Sequence, residues 1–272
     1  MFDIDHYLRI TQRVKTDDLD WDAIPDHPLN DGERTFLEVA MNIEDHTIVY
    51  LKELLSTRVI RDPEVTAFLS CWAYEEYFHG EALEHFLVAH DGERAPRRDV
   101  DARFDREGRV SRVTKKLAMP FLSAASPDFS AVHMTWGATN ELTTLNSYEQ
   151  VMRKTKHPIL KELLGRIVKD ERRHFSFYFH QAQKRLEAHP RMQKINRFLM
   201  DRAWSPVGTT VSDPTYIDEI SRYTFGDKEG REALSRANAT IAQLPGMQGW
   251  GEMEQRILAG ARRAGADVPR AV

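Results

Sequence analysis

Apolar residues recur at three- and four-residue spacing along most of the chain, and no stretch shows the two-residue alternation of a half-buried strand. The pattern predicts an all-α protein with four long helical segments. The first, about Asp31 to Ser56, sets Leu37, Ala40, Met41, Thr47, Ile48, Leu51 and Leu55 on one stripe. The second starts near RDPEV, where Asp62 suits an N-cap and Pro63 the first helical position, and runs to about His90. Its stripe includes Phe68, Trp72, Leu83 and Phe86. The third begins around SPDFS and keeps Met134, Ala138, Leu145, Tyr148 and Met152 on one side as far as KTKHP. The fourth starts at about Pro158 and carries Leu160, Leu164, Ile167, Phe175 and Tyr178 up to EAHP.

Short turns join the first segment to the second and the third to the fourth, while one long crossover, about Asp91 to Ala125, links the two pairs. That order of connections predicts a ferritin-like four-helix bundle. Elsewhere the pattern is weaker: SRVTKKLAMPFLSAA and REALSRANATIAQL read as short helices, and SPVGTTVSDPTY as a loop. No linker or low-complexity tract divides the chain. The expected organisation is a single domain over residues 1–272, with a lead-in at 1–30, a bundle at about 31–189, and a helical tail at 190–272 packed upon it.

Each of the four apolar stripes is interrupted by glutamate at an inward position. Glu44 lies three and four residues from Ala40, Met41, Thr47 and Ile48, and Glu76 with His79 falls on the apolar face of the second segment. Glu141 sits near Ala138 and Leu145, and Glu171 with His174 between Ile167 and Tyr178. Burying an unpaired carboxylate costs several kcal/mol, and four carboxylates in one core repel one another besides. The set therefore calls for positive charge. Glutamate three residues before histidine puts both side chains on one helical face, so each such helix offers two ligands to one metal. Two Glu-x-x-His helices plus one glutamate from each of the other two make the ligand set of di-iron and di-manganese carboxylate bundles. Carboxylate with imidazole suits Fe, with Mn possible, better than structural zinc. Of eleven histidines, only His79 and His174 have glutamate three positions earlier. The arrangement also repeats: Glu44 precedes Glu76, and Glu141 precedes Glu171, by nearly equal intervals, as in two copies of a helix pair.

Composition narrows the chemistry. With 41% hydrophobic and 29% charged residues and a net charge of -4, the chain has the makeup of a globular protein with one sizeable core. The opening stretch MFDIDHYLRITQRVKTDDLDW lacks the basic and apolar regions of a signal peptide, and no run of about 20 apolar residues follows. The expectation is a cytoplasmic protein without membrane insertion. Cys71 is the single cysteine, which excludes intrachain disulfides and cysteine-ligated iron–sulfur clusters. No flavin or nicotinamide fingerprint is present, so electrons for any redox centre come from a separate protein.

These residues resemble the soluble acyl-[acyl-carrier-protein] desaturases. WAYEEYFHG is similar to that family's tryptophan–Glu–Glu–x–x–His–Gly segment, and KDERRHFSFY to its Asp–Glu–x–Arg–His segment on the fourth helix. IEDHTIVY and NELTTLNS fall where the family has its first and third helix glutamates, and the similarity covers about Phe36 to Leu186. The resemblance implies two iron ions cycling between Fe2+ and Fe3+, O2 as co-substrate, and removal of hydrogen from a fatty acyl chain held on an acyl carrier protein. It also implies a homodimer and a ferredoxin-type electron donor. Under it, Thr144, one turn after Glu141, matches a threonine assisting proton delivery; the plain alternative is a hydroxyl bonded to the carbonyl four residues back. Asp170 would accept from His79 and fix that ring. Glu75, which likewise precedes a ligand glutamate, is read as a solvated acid. Trp21 matches a residue that joins an electron path in relatives, although a lid packed on the bundle is the favoured reading. Met41, Phe78, Leu145 and Phe175 are acyl-channel candidates that at this spacing read more readily as core.

Phe78 stands where the family has arginine, and nothing after about His189 matches it, so a specialised di-iron hydroxylase or N-oxygenase is an alternative. Ile167 replaces a histidine of arylamine N-oxygenases, and Leu83 replaces the radical tyrosine of ribonucleotide reductase small subunits. Each counts against that relative. A ferritin-like iron-binding protein, from a non-enzyme class, shares the ligand set but forms a large cage. His46, His85, His133 and His180 read as surface or satisfied polar residues. From Arg94 to Lys116 the crossover is rich in Arg and Lys, suited to an acidic carrier or to a solvated connector, and it lacks the interleaved aromatics of a nucleic-acid platform.

Overall fold

The computed structural model describes residues 2–92, 128–209 and 211–268, and among them every regular element is helical. In chain order they are α1 (Ile4–Ile10), a 3-10 turn (Trp21–Asp26), α2 (Asp31–Leu55), a second 3-10 turn (Arg58–Arg61) and α3 (Pro63–Asp91). Then come α4 (Ser130–Lys154), α5 (Pro158–Ala188), α6 (Pro190–Ala203), α7 (Pro214–Phe225), α8 (Lys228–Ile241) and α9 (Glu252–Arg263). The basic crossover and the predicted helix at SRVTKKLAMPFLSAA lie outside the described residues.

The long helices start where local chemistry satisfies their first amides. Asn30 and Glu33 form a reciprocal capping box on α2, with bonds of 3.0 and 2.9 Å. Asp62 accepts from the amides of Glu64 and Val65 ahead of Pro63, and His157 Nδ1 accepts from Leu160 ahead of Pro158. Gly92, in the left-handed region at φ 66°, ends α3.

α2 packs along α3 and α4 along α5, and the two pairs close into an all-α bundle around one buried cluster that runs from Tyr7 to Ile257. Leu37, Met41, Leu83, Phe86, Met134, Ala138, Leu160, Leu164 and Ile167 are all buried as their spacing requires. Ile48 is not: it is 57% exposed. The inward line along α2 steps alternately by three and four through the buried Leu37, Ala40, Glu44, Thr47 and Leu54, with Leu51 partly buried between the last two, and Ile48 lies one position off it. The tail packs on the bundle through buried Trp204, Trp250, Met253 and Ile257, and Trp204 Nε1 donates to Asn140 of α4. REALSRANATIAQL forms most of α8, whereas the described residues of SPVGTTVSDPTY ahead of Pro214 are non-helical and lead into α7.

Candidate metal centre

The inward glutamates and histidines meet midway along the bundle. Ligand atoms of Glu44, Glu76, His79 and Glu171 lie within 4.8 Å of one another, and so do those of Glu76, Glu141, Glu171 and His174. Glu76 and Glu171 belong to both groups. Each helix contributes to this convergence as its periodicity demands: α2 gives Glu44, α3 gives Glu76 and His79, α4 gives Glu141, and α5 gives Glu171 and His174. All six side chains are buried, both histidines completely.

Around this cluster stands a layer of partners. His79 turns Nε2 to Asp170 Oδ2 at 3.0 Å and Nδ1 toward Glu171 Oε1 at 3.3 Å. His174 turns Nε2 to Glu75 Oε2 at 2.8 Å and Nδ1 toward Glu76 Oε1 at 3.0 Å. Each imidazole is thus held on its outer nitrogen by a carboxylate from the facing helix while its inner nitrogen points into the cluster. Arg173 donates to both Asp170 and Glu75, joining the two holders. Glu75 is not the solvated acid expected of it. It is fully buried, because its position on α3 faces α5 and α1, where His174, Arg173 and Tyr7 all donate to it. Two further donors bind the cluster itself: Tyr148 gives its hydroxyl to Glu44 Oε1 at 2.5 Å, and Trp72 Nε1 donates to Glu141 Oε1 at 3.1 Å.

The electrostatics follow from burial and crowding. Burial, then the charge of Glu76, raises Glu44 well above the carboxylate range. Burial and Glu171 push Glu76 up to about 7, and burial with Glu171 likewise carries Glu141 to about 8. Burial also acts on Glu171, but the close imidazoles of His174 and His79 outweigh it and hold its carboxyl below the ordinary range. Burial opposes a charge on His79, yet the bond to Asp170 and the adjacent Glu171 carboxylate raise it to about 10.

Glu76 Oε1, both oxygens of Glu171, and the inner Nδ1 atoms of His79 and His174 are buried and crowd one another at 3.0 to 3.7 Å, with no aligned hydrogen bond among the described residues. Orphaned atoms of this kind are rare and costly, and here all of them belong to groups that ligate hard divalent cations. Glu44, Glu76, His79 and Glu171 would hold one cation and Glu76, Glu141, Glu171 and His174 a second, which would satisfy these atoms together. The residues present therefore fit a two-metal site.

Thr144 is partly exposed and lines a narrow cavity of about 60 Å³ with Glu44 and Tyr148. Thr135, Thr139 and Thr143 bond back to carbonyls four residues earlier, and Thr144 makes no such bond. Met41 and Leu145 are core, Phe78 and Phe175 pack partly buried against it, and none of the four lines that cavity. Trp21 stacks on His85 with centroids 4.1 Å apart, as a residue packed over α3 would. His46, His85, His133 and His180 belong to neither ligand group. His133, however, is buried rather than superficial. Two turns before Glu141 it is buried on α4, its Nε2 has no hydrogen-bond partner among the described residues, and burial lowers it to about 4. Tyr7 and Tyr148 escaped the sequence reading of the site because their partners lie on other helices; Trp72, inside WAYEEYFHG, and Arg173, inside KDERRHFSFY, each lay in a segment the sequence had marked.

The arrangement defines an all-α bundle with a buried carboxylate–histidine centre. A model of the fatty acid desaturase family matches residues 50–213, more than half of the chain, and the chain belongs to that family. No curated protein matches it, and no solved structure does. The matched stretch takes in Glu76, His79, Glu141, Glu171 and His174 but begins after Glu44, whose membership of the cluster rests on geometry. No described helix is long and apolar enough to cross a membrane.

Proposed function

We propose that this chain is an O2-dependent desaturase that removes two hydrogens from a fatty acyl chain held on an acyl carrier protein. The observation that carries the proposal is the pair of four-residue ligand groups sharing Glu76 and Glu171 inside a chain of the desaturase family. Two iron ions, when bound, supply the redox chemistry that reduces O2 and takes hydrogen from a C–H bond. Glu44 and His79 complete one half of the site, Glu141 and His174 the other. Asp170 and Glu75 keep each imidazole aimed inward with its inner nitrogen free of a proton when a cation is bound.

The protein supplies position and exclusion of water. The cavity beside Glu44 is walled by apolar side chains of α2 and α7, among them Ala40, Ile43, Ile217 and Phe225. The hydroxyls of Thr143, Ser147, Ser221 and Thr224 on its wall are bonded back to their own helices. Thr144 is the hydroxyl left facing the space, one turn from Glu141, where its Oγ1 is suited to hold or pass a proton. An apolar chain lying here is desolvated beside the carboxylates. The two electrons come from a ferredoxin-type donor, and the enzyme works as a cytoplasmic homodimer.

The test loads purified protein with iron, supplies electrons through a ferredoxin system, and follows acyl-carrier substrates by intact mass. Loss of two hydrogens is expected. A gain of one oxygen would replace desaturation by hydroxylation, and no change at any acyl length would overturn the assignment while leaving the metal centre in place.

A further inference from the structure

α1 lies outside the residues matched by the family, yet it reaches the centre. Tyr7 is 1% exposed, and its hydroxyl donates to Glu75 Oε2 at 2.6 Å. The same oxygen receives His174 Nε2 at 2.8 Å. The tyrosine ring is anchored by Phe68 of α3 at 5.2 Å and by Phe2 at 5.7 Å, and Phe2 in turn packs on Phe177 of α5. Its edge also meets the His174 ring itself, at 6.5 Å and 84°.

The two halves of the centre differ at this point. Arg173 binds both outer carboxylates, but the Asp170 side chain keeps 12% of its surface exposed while that of Glu75 keeps none. On the His79 side water can complete the carboxylate's hydrogen bonds. On the His174 side it cannot, and a dry carboxylate short of donors is costly. Tyr7 provides the donor that solvent provides opposite.

We propose that Tyr7 is a positioning residue for one half of the metal centre, so that docking of α1 sets the affinity of the Glu141–His174 half and leaves the Glu44–His79 half alone. The inference rests on the two-metal reading above. The hydroxyl holds Glu75, Glu75 holds the His174 ring, and the ring presents Nδ1 to the cation. Asp170 does the same for His79 without help from α1.

Titration of the metal-free full chain with Co2+, followed by absorption and by calorimetry, resolves the two halves as two binding steps. Tyr7→Phe keeps the ring and removes the hydroxyl; it should weaken one step by roughly tenfold and leave the other unchanged, in the range seen for residues that orient ligands. Asp170→Asn should weaken the other step. In a Glu75→Gln background, Tyr7→Phe should add little, since both act on His174 through one contact. Equal weakening of both steps, no weakening of either, or full additivity with Glu75→Gln would overturn the proposal. Wild-type protein that binds no metal would instead overturn the two-metal reading itself.

Discussion

Tyr148 of α4 gives its hydroxyl to Glu44 of α2 at 2.5 Å, and that bond ties together the two helices that each bring one glutamate to the centre. Both groups are buried, and burial with the neighbouring Glu44 charge holds the phenol well above its ordinary range. Tyr148→Phe leaves Glu44 Oε1 without its donor in a dry site. The metal-free protein should lose about 1–3 kcal/mol in chemical denaturation. A change within experimental error would show that Glu44 finds another donor there.

Glu171 and Glu44 should not be equivalent. Glu171 belongs to both ligand groups and Glu44 to one. Glu171→Ala is therefore expected to abolish binding of both metal ions, whereas Glu44→Ala should leave about one per chain, measured by elemental analysis after gel filtration. Two ions retained in Glu171→Ala protein would remove that residue from the ligand set.

Stability should fall more steeply with pH in the metal-free protein than in the metal-bound one. Glu76 and Glu141 are raised from 4.5 to about 7 and about 8, and His79 from 6.5 to about 10. A raised value means that the folded chain holds the proton more tightly than the unfolded one, so this contribution is full below the unfolded value. It is lost as pH rises through the folded value. Glu171, held low, contributes an opposite slope only below its unfolded value of 4.5. His133, lowered from 6.5 to about 4, gives an opposite slope between those values, so metal-free protein should melt at progressively lower temperature between about pH 7 and pH 9. Metal binding expels the same protons, so the rise in melting temperature on adding metal should grow across that interval. Thermal melts in chelator and in excess Co2+ measure both; parallel curves would contradict the assignment of these groups as ligands.

Helical periodicity alone determined the all-α class, the extents of α2, α3, α4 and α5 to within a few residues, and the inward facing of Glu44, Glu76, His79, Glu141, Glu171 and His174. These features are local: a helix repeats every 3.6 residues, so a residue's face is fixed by neighbours three and four positions away. Ile48 shows where that logic blurs, since a residue one position off the buried line shares its spacing but not its burial. What only the tertiary structure decided were relations between helices. Glu75 reads as a surface acid until α1 and α5 cover it, and Tyr7 has no motif until its hydroxyl is found on Glu75. Nor does the spacing of glutamates along each helix reveal that Glu76 and Glu171 stand in both groups. That depends on how far two helices slide and rotate against each other, which is set by packing of the whole interface rather than by any short stretch of sequence.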